Sequence, residues 1–183
     1  EKERGTLETI LTFPISRKEL IFGKYLAISI SGIVTLLIGV LLSIVSLYYV
    51  KNSFSIYDNV IFNINTITIL LTILILLFYT LFISGLCITI ASFTKSFKEA
   101  QSALTPISLV TCIPMCLEML NINISGVLSF IPIINHTIVI NNILTSSINI
   151  NNILITIISS IIYIIVLLLF INKMYKSEKI LFN

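Results

Sequence analysis

The sequence predicts an all-α integral membrane protein with four transmembrane helices, a short cytoplasmic amphipathic helix and an outer re-entrant or interfacial hairpin. Of the 183 residues, 57% are hydrophobic and only 10% are charged, and the mean hydropathy is +1.09. A soluble domain carries about 25% charged residues, so this composition could not cover a water-facing exterior. Long apolar runs and an alternating distribution of basic residues complete the pattern. Lipid is therefore the solvent for much of the protein surface.

The chain is predicted to be a single membrane domain, 1–183, in which four apolar runs form the spans. The first run, residues 25–50, has no formal charge over 26 residues, and it would form about 39 Å of helix, enough to cross a bilayer with some tilt. The third run is the shortest and contains Pro106 and Pro114, which we expect to kink or break the helix and which are candidates for a moving wall of a translocation path. The predicted spans are residues 20–50, 60–91, 103–120 and 153–171.

Basic residues indicate the orientation. Of the 11 Lys and Arg residues, all but Lys51 precede the first run, lie between the second and third runs, or follow the fourth. Cytoplasmic segments carry the excess of Lys and Arg, so residues 1–19 and the tail 172–183 are predicted to be cytoplasmic. The excess of Ile and Asn over Ala and Val is typical of AT-rich bacterial genes. We therefore expect a multi-pass protein of the bacterial cytoplasmic membrane.

Residues 121–152 form the predicted outer segment and contain no Lys or Arg. Two apolar stretches, 127–134 and 138–140, are too short to cross the membrane. Irregular backbone at membrane depth persists only where protein or a cavity satisfies it, so a re-entrant or interfacial hairpin is predicted, with an ordinary outer loop as the alternative. Pro132 and Asn135 lie in this segment and are further candidates for the translocation path.

The segment before the first span predicts a short amphipathic helix. Thr6 can cap it, and Leu7, Ile10 and Leu11 share one face at i, i+3 and i+4 spacing. Pro14 ends it. Two interpretations fit: a helix that only anchors the chain to the membrane surface, or a docking element whose apolar face enters a groove on a partner.

A sharp turn then leads into the first span, because Ser16 and Glu19 have the S-x-x-E spacing of a capping box. Within that span, small and hydroxyl residues recur at steps of three and four and share one helix face. Small residues let helices approach closely in lipid, so this face predicts helix packing within the chain, with a subunit interface as the alternative. Its members are Gly32, Thr35, Gly39, Ser43 and Ser46.

The sequence lacks the residue patterns of an ATP-binding loop, a metal site, a catalytic site and an ion-coupled carrier. The Gly23-Lys24 dipeptide is not a phosphate-binding loop, because Lys18 stands where the first Gly is required and Tyr25 stands where Ser or Thr is required. No cluster of ionisable residues suggests a metal, a catalytic site or an ion-coupled carrier. We expect Glu118 and His136 to be interfacial polar residues of the outer side.

Five sequence motifs resemble the type-two ABC exporter permeases, most closely the sodium-efflux (NatB-like) branch. The motifs are Glu1-Lys-Glu-Arg-Gly-Thr-Leu-Glu8, Pro14-Ile-Ser-Arg-Lys-Glu-Leu20, Gly23-Lys24, Ile131-Pro-Ile-Ile-Asn135 and Lys176-Ser-Glu-Lys-Ile-Leu-Phe182. In that family the first motif belongs to a cytoplasmic loop whose coupling helix contacts the ATPase subunit. The four predicted spans match the family's last four, so the sequence resembles the C-terminal part of a longer permease.

The resemblance implies a transport subunit without its own ATP site, coupled to a separate ATPase that binds ATP and Mg. It also implies a second permease half, or a second copy in a homodimer, and no nucleic acid. A non-transporting membrane scaffold or sensor that docks a cytoplasmic partner is the alternative. By the resemblance, the ATPase-contacting residues are Glu1, Glu3, Arg4, Gly5, Thr6 and Glu8. Leu7, Ile10 and Leu11 would fill a groove on that partner.

Overall fold

The computed structural model describes residues 16–53, 65–119, 131–145 and 147–176. In these ranges the regular structure is entirely helical, which confirms the predicted all-α class. The helices are α1 (Arg17–Ser53), α2 (Thr66–Phe93), α3 (Phe97–Met119), α4 (Pro132–Leu144) and α5 (Ile150–Lys176).

In the part of the chain that the structure describes, three helices are long and apolar enough to cross a membrane: α1, α2 and α5. Within the described residues, helix α3 is not one of these three helices, and its interior contains two prolines. Three of the four predicted spans therefore have structural support, and the crossing by α3 remains a prediction.

The helix starts show why these segments fold where they do. The predicted capping box opens α1: the Ser16 amide donates to Glu19 Oε2 at 2.9 Å, and the Glu19 amide donates to Ser16 Oγ at 3.4 Å. The same S-x-x-E arrangement opens α3, where the Glu99 amide lies 3.2 Å from Ser96 Oγ. Asn65 caps α2, its side chain accepting from the Thr66 amide at 2.7 Å. These caps satisfy amides that would otherwise lack partners.

Helix α2 is the centre of the bundle and contacts each of the other four helices. At one end, Ile88 of α2 packs with Ile21 and Tyr25 of α1 and Ile171 of α5. The start of α1, the short turn between α2 and α3 and the end of α5 therefore meet at the same end of the bundle. Every basic side chain that the structure describes is in α1, α5 or this turn and the start of α3.

Helix α4 packs against α2 and α5 in the opposite half of the bundle. Ile75 of α2 packs there with Val139 and Ile143 of α4 and Ile153 of α5. Because Ile143 meets Ile153 while His136 meets Ser160, α4 and α5 run antiparallel as a helical hairpin. Helix α4 has 13 residues, about 20 Å in length, which is too short to cross a bilayer by itself.

Large apolar side chains cover much of the outside. Along α1, residues such as Ile30, Ile38 and Leu41 are more than half exposed. A soluble protein could not carry so continuous an apolar surface without aggregating. In a bilayer the same surface is solvated by acyl chains, in agreement with the predicted lipid environment.

Candidate functional site

A groove of about 630 Å³ runs between α1 and α2 and opens on the side of the bundle. One wall carries Gly32, Thr35, Gly39 and Ser43, four members of the predicted small-residue face. The fifth member, Ser46, is exposed and is not among the lining residues. The facing wall from α2 includes Tyr79, Thr80, Ile83, Ser84 and Cys87.

The two helices touch at one end of the groove and separate at the other. A Cβ placed on Gly32 would lie 3.6 Å from Ser84 Oγ, which is ordinary contact, whereas a Cβ on Gly39 would meet nothing within 4 Å. Gly85, beside Ser84, is packed against α5, where its Cβ would lie 3.3 Å from Leu167 Cδ1. Small residues therefore permit close packing near Gly32, while Gly39 and Ser43 face an open space.

The hydroxyl groups in this groove are already satisfied by their own helices. Thr35 Oγ1 donates to the Ser31 carbonyl at 2.9 Å, Ser43 Oγ to Val40 at 2.8 Å and Ser84 Oγ to Thr80 at 2.7 Å. Because each hydroxyl hydrogen is donated to a carbonyl of the same helix, these side chains present only oxygen lone pairs and hydrocarbon groups to the groove. Such a surface is compatible with an apolar ligand, lipid or another helix, and it supplies no group for covalent chemistry.

Helix α3 is continuous through both of its prolines, Pro106 and Pro114. The predicted break is therefore not observed. Thr105 Oγ1 donates to the Gln101 carbonyl at 3.1 Å, and Thr111 Oγ1 to Ser108 at 2.7 Å, so nearby hydroxyls reinforce both proline turns. They do not reach the carbonyls of residues 102 and 110, which the two prolines leave without an amide partner. Pro114 is buried and Pro106 is exposed.

In α4, Pro132 and Asn135 are both buried. Pro132 occupies the first turn of the helix, where its missing amide hydrogen costs nothing. The position of α4 beside α2, α3 and α5 places Pro132 and Asn135 inside the bundle and away from the groove between α1 and α2. Of the four predicted path residues, Pro106 is exposed and the other three are buried, and their role in a translocation path stays a prediction.

His136 was expected to be an interfacial polar residue, and that expectation is wrong: its side chain is only 1% exposed. The ring Nδ1 lies against the Pro132 carbonyl oxygen, and Nε2 lies 3.1 Å from Ser160 Oγ of α5. Ser160 Oγ also donates to the Thr156 carbonyl, and Tyr79 stacks at a ring-centroid distance of 5.2 Å.

Sequence reasoning missed this buried contact because His136 and Ser160 are 24 positions apart and lie in different helices. The sequence analysis also missed the role of Ser96 and Glu99 in capping the start of α3, although their S-x-x-E spacing can be read from the sequence. In the described ranges, no group of three or more His, Cys, Asp or Glu side chains could hold a metal ion. The predicted ATPase contacts, Glu1, Glu3, Arg4, Gly5, Thr6, Leu7, Glu8, Ile10 and Leu11, lie outside the described residues.

Comparison with known proteins agrees with the sequence motifs and with the apolar helices. The profile of the ABC-2 family transporter protein matches residues 1–172. The chain is 29% identical over 119 residues to the ABC transporter permease protein NatB of Bacillus subtilis (strain 168). That alignment covers 63% of this chain and 30% of the relative, so it matches less than a third of the relative's length. No solved structure gives a significant match. Because the profile covers nearly the whole chain, this protein belongs to the ABC-2 transporter family and is related to its NatB-like permeases.

Proposed function

We propose that the chain is the transmembrane permease part of an ATP-driven exporter, and that residues 1–15 couple it to a separate ATPase. The observation that carries the proposal is the extent of the family match, which begins at residue 1 and includes the whole N-terminal segment. The segment is therefore part of the family domain. Its acidic and basic residues can form charge-assisted bonds across an interface, and its apolar face can enter a groove.

The connection from this segment into the bundle supports coupling. The Ser16–Glu19 capping box fixes the start of α1 two residues after Pro14. In the next turns Ile21 and Tyr25 are buried against α2 and α5, and Tyr25 Oη donates to the Leu81 carbonyl at 3.2 Å. A displacement of the segment by an ATPase would thus act on a helix that is attached to the centre of the bundle.

The charge distribution supports a cytoplasmic location for this end of the bundle. Apart from Lys51 at the opposite end of α1, the basic residues of the described helices and of the turn between α2 and α3 are near the end formed by Ile21, Ile88 and Ile171. The positive-inside rule assigns such an end to the cytoplasm, where an ATPase is available. The N-terminal segment, which leads directly into α1, would start on that side.

Helices α3 and α4 complete the membrane domain in this proposal. Helix α3 starts at the cytoplasmic end, immediately after α2, and its 23 residues extend about 35 Å, enough to reach the outer side. Tyr79, which stacks on His136, is at the middle of the 28-residue helix α2. If α2 spans the bilayer symmetrically, the start of α4 would lie level with its middle, and a re-entrant segment is therefore proposed in preference to an ordinary outer loop.

The groove between α1 and α2 is the surface that a second permease half would cover. Gly39 and Ser43 face open space there, and the groove volume of about 630 Å³ is within the range of small-molecule sites. Its satisfied hydroxyls and apolar walls suit a transported molecule or a packed helix that needs no buried charge. A homodimer or a pair of related permeases would then enclose a path between two such grooves.

The test is reconstitution of the full-length permease with its ATPase, comparing Leu11→Ala and Glu8→Arg with the parent. Truncating a central apolar anchor should cost about 2 kcal/mol of docking, whereas exposed charge pairs contribute about 0.2 to 1 kcal/mol each. Both variants should insert normally but copurify less ATPase and stimulate less hydrolysis. Leu41→Ala is the matched control, because Leu41 is a 64% exposed leucine of α1 that is far along the helix from residues 1–15.

The alternatives predict different results. Normal copurification and normal hydrolysis in both variants would show that the segment only anchors the chain. ATPase docking that depends on Leu11 but is accompanied by no substrate movement in the parent would favour the scaffold or sensor.

A further inference from the structure

Helix α1 is attached to α2 near its start and diverges from it further along. Ile21 and Tyr25, in the first turns of α1, are buried against Ile88 of α2. In the far half of α1, a Cβ on Gly39 would meet nothing within 4 Å, and Val45 is more than half exposed. A helix that is attached at one end and open at the other can tilt as a rigid body about its attached part.

Tyr25 makes this attachment specific. Its Oη donates a hydrogen bond to the Leu81 carbonyl of α2 at 3.2 Å. A helix carbonyl keeps a second lone pair beyond its own helical hydrogen bond, so the contact does not interrupt α2. Packed helices can slide past each other by small shear movements, whereas a hydrogen bond to one particular carbonyl fixes the height of α1 on α2.

Gly85 provides the space that the Tyr25 ring occupies. A Cβ on Gly85 would lie 3.8 Å from Tyr25 Cε2 and 3.3 Å from Leu167 Cδ1 of α5. A side chain of α1 and a side chain of α5 therefore both reach the backbone of α2 at this residue. Three helices meet at the level of Gly85, which gives the attachment a fixed position in the bundle.

The groove between α1 and α2 starts beside the attachment. Ile28 packs against the cluster that contains Tyr25 and also lines the groove. On the facing wall Thr80, the neighbour of Leu81, lines the groove as well. Ser43 lines it much further along α1. A tilt of α1 about Tyr25 would therefore change the width of the groove, least at Ile28 and most at Ser43.

One polar group beside the attachment is unsatisfied in the described arrangement. Ser29, one turn beyond Tyr25, is buried, and its Oγ has no hydrogen-bond partner among the described residues. A buried hydroxyl without a partner is costly. A second arrangement of α1 that pairs Ser29 would thus compete with the described one, and coupling between two sites requires an element with two such arrangements.

We propose that Tyr25 is the pivot through which the N-terminal segment changes the width of the groove, an inference that rests on the proposed function. Tyr25 is a positioning residue that holds α1 at one height on α2 while the helix tilts. Val45 lies about 30 Å beyond Tyr25 along the helix, so a tilt of about 10° would move it by about 5 Å. Phe22 lies about 4.5 Å before Tyr25 and would move by less than about 1 Å.

Distances between spin labels measure this tilt without knowledge of the transported molecule. In cysteine-free full-length permease, cysteine pairs would be introduced at Val45 and Leu70 and, separately, at Phe22 and Phe93. All four side chains are more than half exposed, and each pair joins α1 to α2. Labelled permease would be diluted with unlabelled permease, so that the distances arise within one chain, and reconstituted with its ATPase.

The distances would be measured by electron paramagnetic resonance without nucleotide and with Mg and a non-hydrolysable ATP analogue. We expect the distance between Val45 and Leu70 to change by about 5 Å and the distance between Phe22 and Phe93 by less than about 1 Å. No change in the first pair, or equal changes in both pairs, would overturn the pivot. This comparison uses the parent protein and needs no further variant.

Tyr25→Phe keeps the ring and removes the hydrogen bond to Leu81. This variant should insert and copurify the ATPase normally, while the nucleotide-dependent change between Val45 and Leu70 falls to less than half of the parent value. A merely structural role would lower the thermal unfolding midpoint and leave the distance change intact, which would overturn the proposal. Tyr48→Phe is the matched control, because Tyr48 is an exposed tyrosine of the same helix, and it should retain the full change.

Leu11→Ala distinguishes failure of the pivot from failure of the proposed function. Reduced ATPase docking in Leu11→Ala, with no distance change in the parent, would support N-terminal coupling and reject the pivot. Normal docking and hydrolysis in Leu11→Ala, with a distance change that depends on Tyr25, would reject coupling through the N-terminal segment and retain Tyr25 as the pivot of α1.

Discussion

Ser160 Oγ lies 3.1 Å from Nε2 of His136, and this contact joins the spanning helix α5 to the half-length helix α4 inside the bundle. The opposite ring nitrogen faces the Pro132 carbonyl oxygen, which can only accept. A neutral ring that carries its hydrogen on Nδ1 therefore donates to Pro132, and its Nε2 accepts from Ser160, whose single hydroxyl hydrogen is shared between His136 and the Thr156 carbonyl. The ring fixes the first turn of α4 against α5, although no charged residue participates.

Acid should destabilise the fold through His136. Protonation would place a positive charge on a ring that is only 1% exposed, whereas in the unfolded chain the ring can bind a proton in water below about pH 6.5. Stability should therefore be complete near neutral pH and decline as the pH falls below about 6.5. Tyr79, which faces the ring, stays uncharged over this range.

The measurement is the thermal unfolding midpoint in detergent between pH 7.5 and 5.5. His136 is the only histidine in the sequence, so His136→Gln removes the titration without altering another imidazole. The variant should have a smaller pH dependence than the parent. Identical slopes for the two proteins would show that His136 is not buried as described.

Ser160→Ala should destabilise the protein by about 1 kcal/mol, because it leaves the buried His136 Nε2 without a donor. The adjacent Ser159 is the matched control: its hydroxyl donates to the Thr156 carbonyl of its own helix at 3.0 Å. Ser159→Ala should change the free energy of unfolding by no more than about 0.5 kcal/mol. Equal effects of the two substitutions in denaturant titrations would argue against the link between α4 and α5.

Substitutions at Gly32 and Gly39 distinguish helix packing within one chain from assembly between two chains. Gly32→Ile would force a side chain into the Ser84 contact, and overpacking of this kind costs about 1 to 3 kcal/mol. Gly39→Ile meets open space in the single chain, so its thermal stability should match the parent. If a second permease half covers the groove, however, Gly39→Ile should reduce the fraction of permease recovered as a dimer by cross-linking.

Those two results decide between the alternatives that the sequence left open. Loss of stability in both variants would mean that the groove closes within one chain. A stable Gly39→Ile variant that still dimerises normally would move the subunit interface to another surface. Both substitutions replace glycine by the same residue on one helix, so the difference between them does not reflect helix propensity.

The long helices were predictable because their signal is local. Apolar runs set the positions of α1, α2 and α5, and the Ser16–Glu19 spacing set the start of α1. These features depend on residues within one or two turns of each other. The positions of the N-terminal motif residues and of the four-span layout stay predictions, since residues 1–15 and 120–130 lie outside the described ranges.

The buried contacts were not predictable because they depend on how helices meet. His136 looked like a solitary polar residue in an outer segment, and only the antiparallel pairing of α4 with α5 brings Ser160 to it. Asn172 likewise has no local signal that its Oδ1 would be left without a partner. The division of the small-residue face into a packed end at Gly32 and an open end at Gly39 results from the divergence of α1 and α2.

Cysteine accessibility should locate the helix ends relative to the membrane. In a variant lacking Cys87, Cys112 and Cys116, single cysteines would be placed at Ser96, Ile148 and Asn135 and treated in intact cells with a membrane-impermeant thiol reagent. Ile148 precedes the first residue of α5 and is 41% exposed, so under the proposed topology it should be labelled from outside. Ser96 lies at the basic end, between α2 and α3, and should be labelled only after the cells are opened.

Asn135 tests the depth of α4. It is 6% exposed and lies next to His136, which contacts the middle of α2, so a cysteine there should resist labelling from either side in the folded protein. Denaturation should restore its reaction, which distinguishes burial from oxidation of the thiol. An ordinary outer loop would instead make Asn135 as reactive as Ile148. Labelling of Ser96 in intact cells would invert the topology and place the N-terminal segment on the wrong side of the membrane for an ATPase, whatever the depth of α4.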